Sequence, residues 1–107
     1  MTLHEQQQLD NLMDNFDFHR VVRTMRLLKW RWVSAEGFAV PDEACIRATV
    51  RNYARQAIRQ ATTGTGYQSG RGFIGTGGFH IEAHAEAGQL TLLYARFTLT
   101  DYTAEPC

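Results

Sequence analysis

Phe79-His80-Ile81-Glu82-Ala83-His84-Ala85-Glu86 alternates apolar and polar side chains at every step, the period of a strand with one packed and one polar face. Ala87-Gly88-Gln89 then supplies a turn, and Leu90 to Thr100 reads as the return strand. Leu93, Phe97 and Leu99 fall on one face of that strand, and Leu92 and Tyr94 on the other. A strand apolar on both sides calls for cover, from the N-terminal helix or from a second subunit. A hairpin preceded by helical periodicity, with no strand-helix alternation, implies an α+β domain.

Upstream, seven of the fifteen residues from Gly64 to Gly78 are glycine, so 64–78 reads as a glycine-rich loop. It has no Gly-x-x-x-x-Gly-Lys-Ser/Thr pattern, and it follows a helix and precedes a strand, the reverse of the dinucleotide fingerprint. Before it, Ile46, Val50, Tyr53, Ala54, Ala57 and Ala61 form the inner face of a helix opened by Pro41, with Asp42 and Glu43 well placed for its dipole. Asp17 suits the N-cap of an earlier helix with Phe18, Val21, Val22, Met25 and Leu28 on one face and Arg20, Arg23 and Arg26 opposite. Leu27 sits among those arginines.

Between these helices, Trp30 and Trp32 alternate around Arg31 and, with Val33, suggest a short strand, while residues 34–40 form a connection. Thr2 to Asn15 is helical in period, but its first turns are polar, so residues 1–16 read as a loosely docked N-terminal helix. The expectation is one α+β domain over 1–107: two or three helices packed on a small antiparallel sheet ending in a C-terminal β-hairpin.

Lys plus Arg balance Asp plus Glu at 11 each, so no global basic field draws the chain to nucleic acid. Charge is sorted by segment instead: 1–17 carry −4, 18–35 carry +5, 36–43 carry −3, 44–71 carry +5 and 72–107 carry −3. Within the second basic segment, Arg47, Arg51, Arg55 and Arg59 recur at four-residue spacing with no acidic residue between them. On a helix this makes a guanidinium ladder ~18 Å long. Like charges so placed cost roughly 0.2–0.5 kcal/mol per pair unless an anion or acidic surface answers them. Glu43 can pair with Arg47 in the favourable i,i+4 orientation, which leaves three rungs without a local partner. The ladder suits phosphates or a carboxylate-rich surface, with a solvated helix face as the plain alternative. Arg71, with Tyr67 and Phe73 near it in the glycine-rich stretch, would extend binding to a single-stranded nucleic acid or a nucleotide.

Catalytic chemistry finds little footing. His80 and His84 lie ~13 Å apart along a strand, too far to share one ion. His-Ile-Glu-Ala-His lacks the order and the helix of a zinc-protease motif, and a deaminase reading fails for want of a second cysteine beside Pro106-Cys107. No nucleophile stands beside a plausible base, so no catalytic residue, metal or cofactor is expected. Cys45 and Cys107 do not suggest a disulfide framework, and no apolar run approaches membrane-spanning length, so the cytoplasm is the expected compartment and no membrane a partner.

The run from Asp17-Phe18-His19-Arg20-Val21-Val22 through Met25-Arg26-Leu27-Leu28-Lys29-Trp30-Arg31-Trp32, then Val40-Pro41, then Thr76-Gly77-Gly78-Phe79, resembles small proteins encoded in phage and prophage genomes. The likeness covers roughly residues 10–100. It implies an accessory phage protein in the host cytoplasm, acting stoichiometrically. The leading expectation is a non-catalytic inhibitor that binds a host defence factor directly, such as a nucleic-acid-guided CRISPR-type nuclease complex. Its partner would be a host protein or protein–nucleic acid complex, and the inhibitor itself a homodimer or higher oligomer. The alternative is a nucleic-acid or nucleotide-phosphate binder using the ladder and the glycine-rich stretch.

Overall fold

The computed structural model describes residues 1–27, 32–34, 37–39, 42–63, 69–76 and 78–98. Three helices, α1 (Leu3–Asn15), α2 (Phe18–Leu27) and α3 (Glu43–Thr62), accompany two antiparallel sheets. One pairs β1 (Trp32–Ser34) with β2 (Gly37–Ala39), and the other has the order β3 (Ser69–Thr76), β4 (Phe79–Glu86), β5 (Gln89–Phe97). The fold is α+β, with the terminal hairpin in place. Among the described residues, the tryptophan segment pairs only with β2, inside the stretch expected to be a connection. Trp30 and Arg31 lie outside the described residues.

Helix α1 starts with a reciprocal cap. Thr2 Oγ1 accepts from the Glu5 amide at 3.1 Å while Glu5 Oε2 accepts from the Thr2 amide at 2.8 Å. Leu9 and Met13 are buried in the core, and the helix packs on β5 and α3, so α1 is an integral layer and not a loosely docked one. Of the polar opening that suggested fraying, Glu5 belongs to the capping box and His4 Nε2 lies 2.9 Å from the Leu90 carbonyl oxygen on β5. Asp17 caps α2 as expected, accepting from the Arg20 amide at 3.1 Å, and Phe18, Val21, Val22 and Met25 are buried. Leu28 lies outside the described residues.

In α3 the helix begins two positions later than the proline suggested, because Asp42 is its N-cap: Oδ1 accepts from the Cys45 amide at 2.7 Å. Pro41 lies outside the described residues. Ile46, Val50, Ala54, Ala57 and Ala61 form the buried face, joined by Ile58, while Tyr53 is half-buried.

The largest departure is β3, which occupies most of the stretch read as a glycine-rich loop. Gly70 and Gly72 face α3, and a Cβ at Gly70 would stand 1.9 Å from the carbonyl oxygen of Ala61. These glycines serve close approach: strand backbone rests on helix backbone, which no larger residue permits. Residues 64–68 and 77 lie outside the described residues.

β4 runs over the expected span and pairs on both sides. Ala87 and Gly88 turn the chain with φ of 52° and 79°, positive at both central positions as a type I′ turn requires. β5 carries a bulge: His84 pairs with Leu92 and Ala85 with Leu90, so Thr91 is the extra residue, its hydroxyl donating to the His84 carbonyl at 3.1 Å. The bulge turns Leu90 inward with Phe97, and Leu92 outward at 47% exposure. Strand pairing ends at Phe97, short of the expected Thr100, and residues from 99 onward lie outside the described residues.

Helix α3 covers β3 and β4, α1 covers β5, and α2 packs on α3. The packed face of the sheet presents Phe79, Ile81, Ala83, Ala85, Leu90 and Phe97 to the core. No described element packs on the opposite face.

Candidate functional site

The arginine ladder forms on α3 as its spacing requires, but its rungs are not equivalent. Arg47 lies 3.5 Å from Glu43 within α3, and its guanidinium carbon sits 4.5 Å from the centre of the Phe18 ring, so stacking ties this rung to α2. Glu43 also faces His19 at 3.5 Å. Arg51, Arg55 and Arg59 are exposed and form no ion pair among the described residues. Arg55 and Arg59 border a groove of about 410 Å³ between α3 and the start of α1, where Glu5 and Gln6 form the other wall. Glu5 accepts from the Thr2 amide in its cap and pairs with neither arginine. Arg20, Arg23 and Arg26 are exposed on α2, adding cationic surface beside α3.

Arg71 does not join this surface. Neighbours along β3 point to opposite faces, so with Gly70 and Gly72 against α3, Arg71 points from the bare face of the sheet. The reading that grouped Arg71 with the ladder is therefore corrected by the strand that replaces the loop. Tyr67 lies outside the described residues.

On the bare face, Arg71 donates to Glu82 Oε1 and sets the centre of a polar cluster. His80 Nε2 lies 3.0 Å from Oε1, and His84 Nε2 lies 2.8 Å from Oε2. Tyr94 stands directly across from Glu82 on β5, and its hydroxyl also favours the charged carboxylate. Glu82 is only 5% exposed although no described element packs on its face, with Arg71, His80 and His84 gathered round its carboxylate. The Arg71 guanidinium first, then His84 and Tyr94, hold its carboxyl well below the ordinary carboxylate range. Glu82 pushes the Tyr94 phenol up, helped by burial, and its bond with Arg71 raises Arg71.

His80 and His84 thus converge on the residue between them, a relation that their separation along the strand does not suggest. Donors take up the carboxylate oxygens, and among the described residues no group of three His, Cys, Asp or Glu is placed to hold a metal ion. An aromatic row runs across the same face: the Phe73 ring meets His80 edge-on at 4.7 Å, and His80 stacks on Tyr94 at 6.0 Å. Reading the sequence alone misses this row, because half of it lies on β3. The available signal was the alternation Gly70-Arg71-Gly72-Phe73, period two with glycine on one side.

Among the described residues no helix is long and apolar enough to cross a membrane. No protein-family model matches the chain, and no curated protein or solved structure is found to be similar to it.

Proposed function

We propose that this chain is a non-catalytic binding protein that engages a carboxylate-rich partner surface through the α3 arginines. The observation that carries the reading is that Arg51, Arg55 and Arg59 stand exposed on successive turns, without ion pairs among the described residues, in a chain of zero net charge. Three unanswered guanidiniums in a row weaken the helix that bears them, and an acidic surface is the complement that offsets the cost. The resemblance to phage accessory proteins extends the proposal to a host defence complex, such as a nucleic-acid-guided nuclease, blocked by direct binding in the host cytoplasm.

The test is an interference assay with such a nuclease complex, with and without the protein, paired with pull-down of the complex. Wild type is expected to inhibit and to co-purify, and Arg51→Glu with Arg55→Glu to lose both. Inhibition that survives the double reversal removes α3 as the contact surface. No inhibition across a panel of nuclease complexes removes the defence reading.

A further inference from the structure

We infer that the face of the β3-β4-β5 sheet on which no described element packs is a second, separate binding surface, and that its ligand is single-stranded nucleic acid. Three observations converge there. The rings of Phe73, His80 and Tyr94 form a row across all three strands, with centroids 4.7 and 6.0 Å apart. Phe73 is 45% exposed, and its ring tip lies over Gly75, where an added Cβ would meet Cζ at 2.6 Å, so the ring folds along the sheet instead of standing away from it. Bases stack on such rings without regard to sequence.

The second observation is charge. Arg71 and Arg96 are exposed on this face, Arg96 opposite His80 in the register. Arg71 is paired with Glu82, whose carboxylate is enclosed by Arg71, His80 and His84 and is not displayed to an approaching phosphate, while Arg96 forms no ion pair among the described residues. Glu86, the other acid of β4, lies at the far end beside the turn. Guanidiniums flanking rings match a phosphate backbone with unstacked bases, and a duplex with its bases buried cannot use the rings.

The third is rigidity. Gln60 Oε1 on α3 accepts from the Phe73 amide at 2.9 Å, anchoring the outer strand where its leading ring emerges. Glu82 holds His80 at 3.0 Å, and the His80 ring in turn stacks on Tyr94. The row is built before a ligand arrives.

Fluorescence anisotropy of a labelled oligothymidylate of about 20 nucleotides, titrated with the intact chain at low salt, tests this. Saturable binding is expected, weakening as salt rises from about 50 to 200 mM, and weaker still for a duplex of the same length. Phe73→Ser should weaken binding roughly 10-fold, and Arg96→Glu comparably, with melting temperatures near wild type. Arg51→Glu with Arg55→Glu should leave it unchanged, which separates this surface from the α3 reading. No binding at low salt, or wild-type affinity in both sheet variants, overturns the inference. So does a dimer in sedimentation that Phe73→Ser dissolves without oligonucleotide, since the face would then join two copies of this chain.

Discussion

A side-chain carbon added at Gly72 would stand 1.8 Å from the carbonyl oxygen of Ala57, so strand and helix meet with no side chain between them. Helix and sheet elsewhere keep their distance through interleaved side chains, but here the distance is set by backbone atoms.

Gly72→Ala should therefore destabilise the fold by about 2–4 kcal/mol, because the neighbour it strikes is backbone and has nowhere to move. For a chain of this size that lowers the melting temperature by very roughly 10–20 °C. Gly75→Ala is the control: its new carbon meets only the tip of the half-exposed Phe73 ring, which can swing aside, so about 1 kcal/mol or less is expected. Equal melting of Gly72→Ala and wild type would remove the backbone contact from this account.

Acid should act through Glu82. Its folded pKa lies below the ordinary 4.5, so the stability it contributes is fully present above 4.5 and declines as pH falls from there toward the folded value. Urea denaturation of wild type and Glu82→Gln should show a stability gap that narrows as pH is lowered from 4.5. A gap that widens on acidification contradicts the assignment. Arg71→Met, which removes the largest cause of the shift, should bring the wild-type acid transition to higher pH.

Ala87 is the one described non-glycine residue with positive φ, at 52°. Replacing it with Gly or Asn relieves a left-handed residue with a Cβ, so either change should stabilise by roughly 0.5–1 kcal/mol in thermal melts. A loss of stability would mean that the turn has a different geometry.

The N-terminal helix should behave as core. Leu9→Ala is expected to cost about 2–5 kcal/mol, because Leu9 is fully buried, and Thr2→Ala about 1 kcal/mol through the lost cap. Near-neutral Leu9→Ala would instead describe a detachable segment.

The exposed rungs should be a small burden in the isolated protein. Arg51→Gln with Arg55→Gln should leave stability unchanged or raise it by about 0.5 kcal/mol at low salt, with the difference vanishing as salt screens the ladder. A substantial loss of stability would show that the fold already answers these charges.

Strong periods make the amphipathic elements legible in one dimension. Phe18, Val21, Val22 and Met25 announce α2, and Phe79 to Glu86 announces β4, because burial alone selects those patterns. β3 resists such reading because glycine is a permissive residue in loops and a required one at close contacts, and the same letter stands for both. Once that strand is hidden, so is everything that depends on its face: Arg71 beside Glu82, and Phe73 beside His80. The ladder on α3 is legible down to the Glu43–Arg47 pair, since that relation is internal to one helix. The stacking of Arg47 on Phe18 is not, since it requires knowing how α2 and α3 meet.

The carboxamide of Gln60, which takes the Phe73 amide at 2.9 Å, also bears on how this molecule behaves in company. An outermost strand with free amides is a template on which a neighbouring chain can zip up, the first step toward fibrous aggregates. Here one of those amides is already occupied from within, by a side chain reaching over from the helix. That occupied amide interrupts the row of free donors that an incoming strand would need along this edge.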